Sequence, residues 1–383
     1  LMLLANRRHR LLFLAIAGMD VAWVLPFVLT WVTYAARYRG MPPASPYALR
    51  APLWPTDYEV PMVPDSPKPI LSLGITPALQ RTLEFDRFEV GAVNRARTVT
   101  NSAAGKAVNV GMALATLGRA AWVTGFNGGA TGRQVEDDAR GRGARPAFTG
   151  MRGATRVCDT IIDRAAGQVT ELVEEAPAVS EEEWKAFEAG NLERMGVCAA
   201  LIISGTVPPS LTGRRVFQPF AERAAAMGMP WMIDSHRGDL LAVLGLRPTV
   251  VKMNRHELET TFGERAPDDQ LLLGLASRLV AGGAQHVFIT DGARPSWLLA
   301  GDGRAWRIAP PPLPRVVNPI GSGDCATAAL MEGWLRTGSI LLAARQGAAC
   351  GSANAATLIP AQFERRHYEA LLAATPEPVP VSR

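Results

Sequence analysis

The order of apolar and polar positions from residue 70 onward predicts a chain in which strands and helices alternate. Short apolar runs typical of buried strands occur at residues 70–75, 120–126, 200–205, 230–234, 249–253 and 286–290. Segments with helical spacing of apolar residues lie at 105–118, 131–142, 180–194, 212–228 and 268–282. Strands that alternate with helices of this length favour an α/β fold, with a mostly parallel sheet covered on both faces.

Two regions interrupt this alternation. Residues 80–102 and 155–173 contain strand-like segments in which polar and apolar residues alternate, such as TRVCDTIID. We expect them to form a small, separate antiparallel sheet that is attached to the main domain as a lid.

The N-terminal part of the chain has a different pattern. Asp20 is the one charged residue within the mostly apolar segment 11–36, and about 20 apolar residues are enough to span a bilayer. Residues 1–40 are therefore predicted to be a membrane helix, which would tether a cytoplasmic catalytic domain through residues 11–36, or a non-native extension. Asp20 would be costly at the centre of a membrane. A buried or surface-bound helix is the third alternative.

Residues 41–69 contain nine prolines and are predicted to be a stiff, extended linker. The catalytic domain is then expected to cover residues 70–375, followed by a tail at 376–383. The net charge of the 383-residue chain is +5, but its arginines are scattered among acidic residues and no nucleic-acid motif is present, so no nucleic-acid partner is expected. Four cysteines without a CxxC spacing make a zinc or disulfide framework improbable.

The strongest chemical signal is the segment NPIGSGDCATAALMEGWL at residues 318–335. Gly321, Ser322 and Gly323 directly precede Asp324 and a predicted helix, and the free amides of a helix start can bind a phosphate. Asp324 could accept the proton of a hydroxyl that attacks a γ-phosphoryl group. The alternative is that Asp324 only caps the helix.

A second signal is AAGKAVNVGMALATLG at residues 103–118, where Gly105 and Lys106 open a helix and Asn109 follows in its first turn. It is not a Walker loop, because Ala107 stands where that motif needs Ser or Thr. These side chains could hold sugar hydroxyls or a sugar phosphate, or they could belong to an ordinary exposed helix start.

A third signal is VKMNRHELE at residues 251–259. Asn254 and Glu257 are three residues apart, so they could form a capping box at a helix start. Alternatively, Glu257 could hold Mg²⁺ through water, since this cation prefers oxygen ligands.

Together these motifs resemble the phosphofructokinase B (ribokinase-like) carbohydrate kinases, and among them the 1-phosphofructokinase and tagatose-6-phosphate kinase branch. The resemblance runs in collinear order from about Ile70 to Leu372. The family's C-terminal signature is matched from Asn318 to Met331, whereas its N-terminal signature is matched except at Gly111. The resemblance implies a ribokinase-like three-layer α/β/α fold, with a mostly parallel central sheet and a small antiparallel β lid.

The resemblance also implies ATP-dependent phosphorylation of a sugar-phosphate hydroxyl, with Mg²⁺ as cofactor and a homodimer formed through the lid. Asp324 would be the catalytic base, and the backbone of Gly321, Ser322 and Gly323 would form the anion hole. The implied substrate-binding residues are Gln80, Gly105, Lys106, Asn109 and Arg156. The implied nucleotide-binding residues are Lys252, Thr290, Gly292 and Asn354, and the implied metal site is Asn254 with Glu257.

The substrate side departs from the family pattern. Gln80 stands where the branch has a sugar-binding Asp, Thr76 where it has Asn, and Cys158 where its lid has Asn. Arg156 matches a residue that contacts the sugar's phosphate, and it favours a sugar-phosphate kinase. The departures leave two alternatives open: a kinase of an unphosphorylated sugar or nucleoside, and a non-catalytic sensor of a sugar phosphate or nucleotide.

Overall fold

The computed structural model describes residues 67–381. The predicted membrane tether and residues 41–66 of the predicted linker lie outside this range and stay predictions. None of the helices within the described range combines the length and the apolar character that are needed to cross a membrane.

Strands and helices follow one another along the chain much as the pattern predicts. The strands are β1 Ile70–Leu73, β2 Ala78–Phe85, β3 Thr98–Ala104, β4 Ala121–Val123, β5 Phe126–Asn127, β6 Arg145–Pro146, β7 Thr149–Gly150, β8 Val157–Asp163, β9 Gln168–Val173, β10 Ala200–Ser204, β11 Trp231–Asp234, β12 Val250–Asn254, β13 His286–Asp291, β14 Arg294–Ala300, β15 Ala305–Ile308 and β16 Val379–Val381. The helices are α1 Lys106–Thr116, α2 Gly129–Gly141, α3 Glu181–Arg194, α4 Gln218–Ala226, α5 Arg237–Leu241, α6 Arg255–Phe262, α7 Asp269–Ala281, α8 Ser322–Thr337, α9 Ile340–Ala355 and α10 Arg365–Ala374.

The central sheet has ten strands in the order β16-β15-β14-β13-β12-β11-β10-β1-β4-β6. The pairs from β13 to β6 are parallel, and β14, β15 and β16 are added antiparallel at one edge. In the sheet, β4 and β6 lie on one side of β1, and the later strands β10 to β13 lie on its other side. The carboxyl ends of β1 and β10 therefore meet at a topological switch point, the usual place for a ligand in an open α/β sheet.

Two apolar clusters fill the spaces on the two faces of this sheet. Along β1 and β10 the side chains alternate, so that Leu71 and Leu201 belong to one cluster and Ile70 and Ile202 to the other. The first cluster includes residues of α3, α4 and α7, and the second includes residues of α1, α8 and α9. Burial of both faces explains the continuous apolar runs of the strands and confirms the predicted three-layer α/β/α arrangement.

The lid is confirmed as a separate sheet of four strands in the order β3-β2-β8-β9, called the lid sheet below. Its two outer pairs are antiparallel, as expected. The central pair, β2 with β8, is parallel because the chain passes through α1 and α2 before it returns to the lid.

Two boundaries differ from the prediction. The run at 120–126 divides into β4 and β5, because Gly125 has φ 149° and a Cβ there would lie 2.6 Å from Cδ of Pro77. The residues predicted as a tail at 376–383 include β16, whose backbone pairs with the edge strand β15. Proline at position 380 is compatible with this edge position.

Candidate active site

The glycine-rich turn lies at the start of α8. Gly321 is the N-cap residue and has φ 80°, a left-handed conformation that favours glycine. A Cβ on Gly323 would lie 2.8 Å from Nζ of Lys252, so the second glycine allows a close approach between the turn and that lysine. The amide of Ser322 donates to the carbonyl of Pro319 at 3.2 Å. Of the predicted anion-hole amides, that of Ser322 is therefore already used within the turn, and the helix dipole favours negative charge at this end of α8.

Asp324 lies in the first turn of α8 and is 7% exposed. Its Oδ2 accepts a hydrogen bond of 2.8 Å from Nδ2 of Asn109, and it does not cap the helix, since no side chain does so at Gly321. Burial raises the pKa of Asp324 to about 6, and the negative charge of Asp234 adds to this, whereas Lys106, Asn109 and Lys252 oppose it. A carboxylate with this pKa is ionised at neutral pH and can still accept a proton.

A charged cluster beside Asp324 centres on a residue that sequence reasoning missed. Asp234, the last residue of β11, is fully buried. Its oxygens accept hydrogen bonds from Lys106 at 2.9 Å, Lys252 at 2.8 Å and the hydroxyl of Thr327 at 2.8 Å. Burial alone would raise the pKa of Asp234, but the two lysines outweigh it and hold that pKa far below its usual range. The sequence did contain a signal for Asp234. In the segment IDSHRG, this carboxylate stands at the carboxyl end of a predicted parallel strand.

Glu257 connects this cluster to the start of α6. Its Oε1 lies 3.0 Å from Nζ of Lys106, and its Oε2 accepts from the amide of Asn254 at 2.8 Å. Asn254 in turn accepts from the amide of Glu257 at 2.8 Å, so the capping box predicted as an alternative is present. Capping and a metal role are compatible for Glu257, because a carboxylate oxygen can bind more than one partner.

A cavity of about 210 Å³ lies at the switch point of the sheet. It is lined by the carboxyl ends of β1, β4 and β10, by the start of α1 and by the lid. Gly105, Lys106 and Arg156, three of the predicted substrate-binding residues, are among its lining residues. Asn109, one turn after Lys106 in α1, connects the wall of the cavity to Asp324.

Arg156 lies between the lid and β1. Its guanidinium donates to the carbonyl of Glu174 at 3.0 Å and to the carbonyl of Thr76 at 3.2 Å. Its Nε is buried and has no hydrogen-bond partner within residues 67–381. The guanidinium is thus held at the cavity wall, and its Nε–H group can still donate a hydrogen bond.

Gln80 is placed differently from the other predicted substrate-binding residues. It is 2% exposed, and its amide nitrogen donates to the carbonyl of Cys158 at 3.0 Å and to the hydroxyl of Thr160 at 2.7 Å. Both partners belong to β8, so the side chain joins two lid strands instead of lining the cavity. The amide nitrogen of Gln80 is thus used within the lid, and a role of Gln80 in substrate binding stays a prediction.

The fold and this geometry agree with the comparison to known families. Residues 70–358 match the model of the pfkB family carbohydrate kinases. The chain belongs to this family. It is therefore a carbohydrate kinase, a phosphotransferase with an alcohol group as acceptor.

Curated relatives of this kinase include two sugar-phosphate kinases. A 1-phosphofructokinase of Bacillus subtilis is 27% identical over 292 residues, which cover 75% of this chain and 92% of the relative. A tagatose-6-phosphate kinase of Staphylococcus epidermidis is 27% identical over 267 residues, which cover 69% and 84%.

Among solved structures, a possible 1-phosphofructokinase of Thermotoga maritima superimposes with a TM-score of 0.74 at 20% identity, covering 82% of this chain and 99% of that one. Phosphofructokinase-2 of Escherichia coli in complex with substrates and products gives a TM-score of 0.73 at 22% identity, covering 80% and 99%. At this identity the structures support the ribokinase-like fold alone.

In this kinase the predicted nucleotide-binding residues do not form one group. Thr290 and Gly292 lie at the end of β13 and in the turn after it, next to Asn254 of β12. Lys252 is 3% exposed and paired with Asp234 under the glycine-rich turn.

Asn354 is fully buried beneath the same turn. Its amide nitrogen donates to the carbonyl of Ile320 at 2.8 Å and to the hydroxyl of Ser322 at 3.0 Å, and its oxygen accepts from the amide of Ala361 at 2.7 Å. Its amide nitrogen therefore holds the glycine-rich turn, and its oxygen holds the segment that follows α9. The role of Asn354 in nucleotide binding stays a prediction.

The described residues offer a magnesium ion few protein ligands. Within residues 67–381 there is no cluster of three or more His, Cys, Asp or Glu side chains that could enclose a metal. Mg²⁺ commonly takes one or two carboxylates and completes its shell with water and substrate phosphates. The Glu257 carboxylate, which is 15% exposed, is suited to that role.

Proposed function

We propose that this kinase transfers the γ-phosphoryl group of ATP to a hydroxyl of a sugar phosphate. Asp324 accepts the proton of the attacking hydroxyl, and Asn109 orients the carboxylate through the hydrogen bond to Oδ2. The amides at the start of α8 stabilise the negative charge that develops on the phosphoryl oxygens. Mg²⁺, when bound with the nucleotide, neutralises phosphate charge, and Glu257 with Asn254 would hold it.

The observation that carries this proposal is the position of one buried carboxylate. Asp324 lies at a helix N-terminus, and Asn109 connects it to a cavity that also contains Lys106 and Arg156. A proton acceptor, an anion-binding backbone and a cationic acceptor site are thus adjacent. A non-catalytic sensor would not need the first of these.

The acceptor class is tested with ATP and a panel of sugars. We expect ADP release with fructose 1-phosphate, fructose 6-phosphate or tagatose 6-phosphate to exceed that with ribose, fructose or adenosine. Arg156→Ala should raise the KM of the sugar phosphate by about 10-fold or more, because a charge-assisted contact is lost, while the KM of ATP changes little. Arg152→Ala, which removes an exposed arginine four residues earlier, is the matched control.

Faster turnover of unphosphorylated acceptors, together with an unchanged KM in Arg156→Ala, would instead identify a sugar or nucleoside kinase. ATP binding without phosphoryl transfer to any member of the panel would identify a sensor. The departures at Thr76 and Cys158 are the observations that favour these alternatives.

The rate is expected to depend on pH through Asp324. The pKa of Asp324 in the enzyme without substrate is about 6. The constant kcat/KM should therefore rise as the pH increases through this value and level off above pH 7. A profile of kcat/KM between about pH 5 and pH 8 measures this. A flat profile across that range would contradict the assignment of Asp324 as the base.

The lid contact between two copies stays a prediction. The lid sheet exposes Val99, Leu172 and Val173 to about half of their full areas, at 50%, 52% and 55%. These side chains lie on its two edge strands, β3 and β9, which supports pairing with a second copy.

A further inference from the structure

Two hydroxyl-bearing residues of the cavity wall lie on either side of β1. Thr124 directly follows β4, and Ser204 is the last residue of β10. Since β4 and β10 are the two neighbours of β1, the two residues stand on either side of β1. Both residues line the cavity of about 210 Å³.

Both hydroxyls are buried and unpaired. Thr124 is 1% exposed and Ser204 is 2% exposed, and neither hydroxyl has a hydrogen-bond partner within residues 67–381. Buried polar side chains in folded proteins are normally paired, so each exception needs an explanation. At the wall of a cavity, the simplest explanation is that a bound molecule supplies the missing partners.

The chemistry of the cavity separates two kinds of partner. Lys106 and Arg156 line the same cavity and suit an anionic group. Thr124 and Ser204 are neutral, and each can donate one hydrogen bond and accept two, which matches the hydroxyl groups of a polyol.

Gln80 is not among the residues that line this cavity, and its amide nitrogen already donates to Cys158 and Thr160 in the adjacent lid strand. Thr76 and Thr206 also line the cavity, but the hydroxyl of Thr76 accepts from Arg156 and Thr206 is exposed. Within residues 67–381, Thr124 and Ser204 are thus the cavity-lining residues whose buried hydroxyls lack a partner.

We propose that Thr124 and Ser204 determine acceptor specificity by binding non-reacting hydroxyl groups of the sugar phosphate, whose phosphate lies at Arg156. This inference rests on the proposed function and adds the residues that recognise the polyol. The kinase then selects acceptors whose hydroxyl groups reach Thr124 and Ser204, and it disfavours analogues that lack those hydroxyl groups.

The test compares Thr124→Val and Ser204→Ala with two matched controls, Thr82→Val and Ser102→Ala. The control residues are 1% and 4% exposed and also have unpaired hydroxyls, but they belong to the lid sheet and are not among the residues that line the cavity. Because all four hydroxyls are buried and unpaired, we expect their removal to affect the unliganded protein to a similar degree. A difference between the pairs therefore reports on the bound acceptor.

We expect Thr124→Val and Ser204→Ala each to raise the acceptor KM by about tenfold, with the KM of ATP within about twofold of the wild type. The melting temperature of the free protein should stay the same or rise, because an unpaired buried hydroxyl is removed. Competitive inhibition by inorganic phosphate should be unchanged, and the two control variants should keep the wild-type KM of the acceptor.

An unchanged acceptor KM in both cavity variants overturns the inference and leaves the proposed function intact. Weaker inhibition by inorganic phosphate, in parallel with the raised KM, would show that the hydroxyls bind the phosphate and would also overturn it. If the wild type phosphorylates no sugar phosphate, the proposed function fails. The inference is then decided by calorimetric binding of fructose 1-phosphate and fructose 6-phosphate, where absent binding, or equal binding to wild type and variants, rejects it.

Discussion

Replacement of Asp324 by asparagine is expected to lower kcat by at least about 10²-fold, the usual effect of a lost general base. The asparagine keeps the size of the side chain and can still contact Asn109, but it cannot accept a proton from the attacking hydroxyl. The KM values should change much less than kcat, because the cavity and the glycine-rich turn stay in place. Steady-state kinetics with the best acceptor of the panel measure both constants.

The same substitution is expected to leave the protein at least as stable as the wild type. The folded pKa of Asp324, about 6, lies above the ordinary value of 3.8, so the folded state binds more protons between these values. Its contribution to stability is therefore lost as the pH rises through about 6. Above this window the wild type carries the full cost of a buried charge that the asparagine variant lacks.

Thermal unfolding at about pH 8 measures this second effect. Asp302→Asn, at an exposed turn between β14 and β15, is the control for loss of a carboxylate and should change neither kcat nor the melting temperature. Near-normal turnover in Asp324→Asn would remove Asp324 from the mechanism. A large drop in melting temperature would show that the carboxylate is structural.

The main sheet could be predicted because its strands are buried on both faces. In β10, for example, ALIIS consists of consecutive apolar residues with a terminal serine, and the helices around it have helical apolar spacing. The parallel pairing of β2 with β8 could not be predicted. It joins segments 78 positions apart, and the alternation of polar residues in each strand does not specify the direction of its partner.

Within the site, sequence reasoning succeeded where backbone chemistry is local. Gly321, Gly323 and Asp324 are contiguous, and their role follows from the start of one helix. Sequence reasoning could not foresee how deeply a side chain is buried or which partners it meets there. The sequence of α9 does not reveal that Asn354 is fully buried, and nothing in the sequence of β2 shows that Gln80 is used within the lid.

Asp234 illustrates the same limit for charges. Its importance comes from Lys106, 128 positions earlier, and from Lys252, 18 positions later, which meet only in the folded protein. Lys252 is 3% exposed, so its ammonium is stable there chiefly because a carboxylate is adjacent. Lys106 has a second partner in Glu257 and is less dependent on Asp234.

Asp234→Asn is therefore expected to lower the free energy of unfolding by about 3–5 kcal/mol, the range for a broken buried ion pair. The amide group would direct N–H donors toward a lysine that also only donates, and the charge of Lys252 would lose its buried partner. Denaturant unfolding near pH 7 measures the change. In the Asp234→Asn background, adding Lys252→Met should restore much of the loss, since an apolar side chain of similar length replaces the unpaired ammonium.

That second variant separates charge from packing. If the double variant is as unstable as Asp234→Asn alone, the loss comes from the hydrogen bond of Thr327 or from altered packing, and the unpaired charge is not its cause. If Asp234→Asn unfolds at the wild-type denaturant concentration, the ion pairs around Asp234 contribute little to stability. Recovery of stability without recovery of kcat would assign the Asp234–Lys252 pair to phosphoryl transfer as well, since the ammonium group of Lys252 lies close to Gly323 of the glycine-rich turn.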